Sequence, residues 1–101
     1  MNSVSQNIKN KLGVLNPLHL EVVNESHRHS VPDNAETHFK VVIVSENFVE
    51  LGRVPRHQQI NKLLVEELEG PVHALSIHAF TPEEWYRRNG QVPDPPNCIS
   101  K

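Results

Sequence analysis

A chain of 101 residues holds one domain with a single core, and 37% hydrophobic with 22% charged residues is an ordinary globular composition. The net charge of −2 and the pI near 6.4 exclude a global basic field that would draw the chain to nucleic acid or an anionic membrane. A single cysteine, Cys98, excludes an intrachain disulfide, and no apolar run approaches the ~20 residues of a membrane span. With no charged-then-apolar leader pattern either, the expectation is a cytoplasmic, single-domain protein.

Val4, Ile8, Leu12 and Leu15 fall at helical spacing between a serine cap and Asn16-Pro17, predicting a first helix over 4–15 with a last turn weakened by Gly13. Leu18 to Asn24 alternates with period two and reads as the first strand. Residues 25–35 are polar and rich in turn formers, a loop long enough to suggest function. Val41-Val42-Ile43-Val44 is the densest β-branched run and reads as a central, largely buried strand, antiparallel to the first. Phe39, Val41 and Ile43 share its apolar face; His38, Lys40, Val42 and Val44 share a mixed one, expected to stay partly open. The segment 47–52 carries one helical turn around Phe48 and Leu51. Ile60, Leu63, Leu64 and Leu68 then form the apolar stripe of a main helix over 56–69, with Glu66, Glu67 and Glu69 on its solvated side. Val72 to Phe80 alternates again and, after a crossover helix, should run parallel to strand two with right-handed connection. Thr81-Pro82-Glu83-Glu84 is a helix start with Thr as cap, Pro at N1 and Glu at N3. Three prolines and a glycine from Asn89 onward predict a mobile tail over 89–101 that contains Cys98.

The order helix-strand-strand-helix-strand-helix describes an α+β domain of two layers, a three-stranded mixed sheet with helices on one face. Its seven histidines sort by topology. The main helix carries the chain about 20 Å, so its two ends lie at opposite ends of the sheet. His57 belongs at one end. His73, opening strand three, belongs at the other, beside the entry to strand two and the 25–35 loop with His27 and His29. Taken alone, His73 reads either as a half-buried strand-end histidine bonded to a carbonyl or as a ligand; His27 and His29 read as solvated loop residues. His19, His38 and His78 read as structural. The sequence has no Gly-rich phosphate loop, Cys-x-x-Cys, His-Glu-x-x-His or Gly-x-Ser-x-Gly, so the expectation is not an enzyme.

Several ordered motifs carry a family likeness: Glu36-Thr37-His38-Phe39-Lys40-Val41-Val42-Ile43-Val44-Ser45, Phe48, Arg56-His57, Val72-His73-Ala74-Leu75-Ser76-Ile77-His78 and Thr81-Pro82-x-x-Trp85. Upstream, Glu21-Val22-Val23-Asn24-Glu25-Ser26 and Val31-Pro32 also match. Over residues 5–88 the chain resembles the BolA family. The resemblance implies a KH-like (type II) fold without the Gly-x-x-Gly clamp and a domain spanning residues 1–88. It further implies partnership with a monothiol glutaredoxin of the Cys-Gly-Phe-Ser type, the two sharing a bridging [2Fe-2S] cluster with glutathione. The metal ligands it implies on this side are His73 and His29, with His27 in reserve; no cluster is expected on the isolated chain. A loop histidine in place of a loop cysteine implies a more stable bridged cluster and less cluster transfer. Arg28, beside His29, either assists with an anionic partner surface or is merely solvated.

An alternative from the same resemblance is a DNA-binding transcriptional regulator of stress response and cell morphology. Its sequence support is Arg53, Arg56, His57, Gln58, Gln59, Asn61 and Lys62, residue types that read bases and also describe any solvated helix. The free protein is expected to be a monomer or weak dimer.

Overall fold

The computed structural model describes residues 3–26 and 37–90. Helix α1 (Val4–Leu12) begins at Ser3, whose hydroxyl accepts from the Gln6 backbone N–H at 3.1 Å, and it buries Ile8 and Leu12. Its predicted final turn is instead a 3-10 turn, Gly13–Leu15, closed by Asn16 in the left-handed region at φ 50°. Strand β1 (His19–Asn24) pairs antiparallel with β2 (His38–Val44), and β2 pairs parallel with β3 (Ala74–Phe80). The order β1-β2-β3 puts β2 at the centre, where Val41, Val42 and Ile43 have no exposure. Each such fully buried aliphatic side chain contributes about 1.5–3 kcal/mol relative to its exposed state.

Between β2 and β3 come a short 3-10 turn at Glu46–Phe48, helix α2 (Arg53–Leu63) and helix α3 (Val65–Glu69). Two sequence expectations change here. The helix starts at Arg53 rather than 56, with Gly52 as cap; Pro55 is accommodated in the first turn, where no intrahelical N–H bond is needed. The single helix over 56–69 is also broken at Leu64, whose φ −104° and ψ 21° leave the helical region while the chain keeps Leu64 fully buried. Glu67, assigned to the solvated side, is buried. Its carboxylate meets Lys11 Nζ at 2.9 Å, and Glu66 meets the same ammonium at 2.8 Å, tying α1 to α3.

Helix α1 and the α2–α3 pair cover the Phe39, Val41, Ile43 face and build the main core with Ile8, Leu12, Phe48, Ile60 and Leu64. The final helix, α4 (Pro82–Arg87), has the expected capping box. Thr81 Oγ1 accepts from Glu84 N, and the Glu84 carboxylate accepts from Thr81 N at 3.0 Å. Helices are therefore not confined to one face. Trp85 packs on the opposite side with Val42, Val44 and Phe80, and its ring stacks on His19 with centroids 5.0 Å apart. Gly90, at φ 72°, closes this helix against the Trp85 ring, which a Cβ there would meet at 3.6 Å. No described helix is long and apolar enough to cross a membrane.

Candidate functional site

The parallel register places His38 opposite Ala74, so His73 stands immediately outside the paired strands, at the amino-terminal end of β2. Its backbone N–H donates to the Thr37 carbonyl at 2.8 Å, and the Ala74 N–H reaches the same oxygen at 3.2 Å. The side chain differs from the reading of a half-buried histidine bonded to a carbonyl. His73 is exposed, and its imidazole makes no hydrogen bond or ion pair among the described residues. The main-chain bonds fix its Cα, and the ring is left for solvent or a partner.

Two residues shape the same spot from the other side. Ser26 is buried, and its hydroxyl accepts from the Thr37 N–H at 2.9 Å and the His38 N–H at 3.0 Å. Its own N–H donates to Asn24 Oδ1 at 2.9 Å, and the neighbouring Glu25 N–H donates to the His38 carbonyl at 2.7 Å. Ser26 and Thr37 are thus joined, and Thr37 in turn holds His73. His27, Arg28 and His29 lie outside the described residues, as does Cys98. What the structure supplies is the pair of residues from which that segment leaves and returns, Thr37 one hydrogen bond from His73 and Ser26 two. Sequence reasoning found the histidine and missed Ser26, although a serine closing a strand ahead of a long polar segment is a signal for such a bond.

His57 lies at the far end of the sheet from His73. Its neighbour Arg56 donates from Nη1 to the Ala79 carbonyl near the end of β3, whereas His73 precedes the first residue of that strand. Burial, then the Arg53 and Arg56 charges, hold the His57 imidazole below its ordinary value.

The family model for BolA-like proteins matches residues 12–84. The chain belongs to the BolA family. It is 46% identical over 83 residues to the DNA-binding transcriptional regulator BolA of Vibrio cholerae, covering 82% of this chain and 78% of that one. It is 48% identical over 85 residues to human BolA-like protein 1, covering 84% of this chain and 61% of the human one. The solution structure of mouse BolA1 superposes with a TM-score of 0.81 at 45% identity, over 95% of this chain and 79% of the mouse chain.

In this BolA-family fold the helical residues named for nucleic acid divide into two sets. Arg53, Gln58, Gln59, Asn61 and Lys62 are exposed along α2, with His57 half-buried beside them. Arg56 leaves the candidate set. Its side chain is only 11% exposed, its guanidinium grips Glu84 with Nη1 at 2.7 Å and Nη2 at 3.1 Å, and its Nε donates to the Leu51 carbonyl at 2.8 Å. All of these donors point inward, so Arg56 fastens α4 to the rest of the BolA domain and has no fork to offer a phosphate.

Proposed function

We propose that the protein is an iron–sulfur adaptor that binds a monothiol glutaredoxin of the Cys-Gly-Phe-Ser type in the cytoplasm and shares a bridging [2Fe-2S] cluster with it. His73 is one ligand; His29 is the second, with His27 in reserve. The observation that carries this reading is an exposed imidazole, without a partner among the described residues, held by its backbone beside Thr37, where the chain returns from the 27–36 segment.

The donor chemistry fits. Among the described residues no group of three His, Cys, Asp or Glu side chains is arranged to hold a metal, so this part of the chain offers His73 as one donor of an incomplete set. Bound there, the cluster would supply a redox-active centre, held from this side by His73 and His29, with the thiolates coming from the partner's cysteine and glutathione. The chain's own part is to present a neutral imidazole at a fixed position. Protonation removes the lone pair, so acid loosens the complex. The protein is accordingly a binding component and not a catalyst.

The test mixes the protein with such a glutaredoxin, glutathione, iron and sulfide, and records visible absorption and circular dichroism against each protein alone. A spectrum distinct from that of the glutaredoxin by itself, lost with His73→Ala while the fold persists, is the expected result. An unchanged spectrum with His73→Ala would sink the assignment.

A second reading, a DNA-binding regulator, draws support from the likeness to the DNA-binding transcriptional regulator BolA of Vibrio cholerae and from the exposed Arg53, Gln58, Asn61 and Lys62. It requires affinity that falls steeply with salt and with Lys62→Ala.

A further inference from the structure

On the sheet face turned away from α1–α3, Trp85 packs with Val42, Val44 and Phe80 and stacks on His19. Two cross-strand rows run across this face, Glu21–Val42–His78, with Val42 buried, and Val23–Lys40–Ser76. On this face Ser76 Oγ and His78 Nε2 are 3.1 Å apart, both on β3. A cation stands on each side of them. Lys40 is the register partner of Ser76. Arg88 holds its guanidinium over the Phe80 ring at 5.2 Å, and Phe80 is the next residue of β3 on the same face after His78.

These two cations differ from those that build the fold. Lys11, Arg56 and Arg87 are each gripped by a carboxylate, whereas Lys40 and Arg88 have no carboxylate partner among the described residues. Of the acidic side chains on this side, Glu21 is paired with His19 Nε2 at 2.6 Å, and Glu25 is the one whose charge acts on His78. Neighbouring strands lie about 4.8 Å apart and same-face residues about 6.6 Å apart along a strand, so the lysine and arginine stems both reach a group seated over the Ser76–His78 pair.

We propose that Lys40, Ser76, His78 and Arg88 form a subsite for a phosphate-type oxyanion on the open sheet face. Lys40 supplies a point charge, Arg88 a planar fork suited to two oxygens, and Ser76 a rotatable O–H donor. His78 supplies a ring N–H and gains from binding. Burial first, then Lys40 on β2, His57 on α2 and Arg88 after α4, hold its imidazole below the ordinary value, with Glu25 after β1 acting oppositely. His38, on the same face, is occupied at Nδ1 by the Thr37 hydroxyl at 2.8 Å. A bound anion offsets the Lys40 and Arg88 charges and draws a proton onto His78. The subsite does not depend on the cluster-adaptor reading, since His73 has no part in it.

The experiment is an NMR titration of the full chain, following backbone amides and the His78 ring, with sodium phosphate against sodium chloride at matched ionic strength. A parallel titration uses a short single-stranded oligonucleotide. The expected result is saturable shifts confined to Lys40, Ser76, His78 and Arg88, with a raised His78 pKa. Affinity should fall about tenfold in Lys40→Gln and in Arg88→Gln, the loss of one charge-assisted contact in each. Saturation by phosphate alone identifies a free phosphate or monoester as the source; saturation of the same residues by the oligonucleotide alone identifies a phosphodiester backbone. Shifts that match chloride, or that survive both substitutions unchanged, overturn the proposal, and unaltered amide spectra of the free variants exclude misfolding as the cause.

Discussion

Replacing Arg56 by methionine removes four hydrogen bonds, to Leu51 O, Ala79 O and both oxygens of Glu84, while keeping most of the aliphatic stem. Breaking a fully buried ion pair costs about 3–5 kcal/mol, because the remaining charge is stranded. Here Glu84 is 40% exposed and can rehydrate, so the expected loss is nearer 2–3 kcal/mol. For a chain of this length that lowers Tm by roughly 10–20 °C. Urea unfolding followed by circular dichroism is the assay, with a shifted midpoint and unchanged slope as the signature. Glu84→Gln, which keeps one acceptor for the guanidinium, should cost about 1 kcal/mol. Arg53→Ala, three residues away and exposed, should stay within about 0.5 kcal/mol. A methionine variant that loses no more than Arg53→Ala would refute the inward role and return Arg56 to the candidate nucleic-acid surface. The pH dependence gives an independent check. The Arg56 hydrogen bond, opposed by burial and assisted by Thr81, holds the Glu84 carboxyl below its ordinary value of 4.5. A depressed folded pKa adds stability above about pH 4.5 and loses it as pH falls through the folded value. Glu84→Gln should flatten that acid limb.

Ser26→Ala leaves the Thr37 and His38 N–H groups without their acceptor and should cost about 2 kcal/mol. Hydrogen exchange at those two amides should quicken before any other in β2. Glu50 sits at φ 76°, a conformation costing a non-glycine residue roughly 1 kcal/mol, so Glu50→Gly should raise the unfolding midpoint. His57 titrates below its ordinary 6.5 in the fold, chiefly through burial, so its contribution to stability is full above that value and declines as pH falls towards the folded pKa. His57→Gln should shallow the slope of stability against pH below 6.5; an unchanged slope would contradict the assignment.

The parts of the fold readable from sequence are those written in short range. The run Val41-Val42-Ile43-Val44 gave the central strand, and Thr81-Pro82-Glu83-Glu84 gave a capping box seen atom for atom. Arg56 and Glu67 looked solvated because helical periodicity registers only their own helix. Their partners, Glu84 and Lys11, lie 28 and 56 residues away, and nothing in a window of eighteen residues reports them. The break at Leu64 was equally silent, since Ile60, Leu63, Leu64 and Leu68 keep one apolar stripe across it. At the candidate site, strand order alone located His73, whereas its exposure and the Ser26 bridge needed the tertiary structure.

The bond from Ser26 to Thr37 has a consequence for the length of the segment it spans. It closes the chain into a ring whose two ends are fixed from beneath by β1, β2 and the start of β3, with ten residues between them. Doubling such a segment costs only about 0.6 kcal/mol in closure entropy. A change in the length of such a segment therefore weighs little on the domain, while the His73 backbone on the rigid rim stays put.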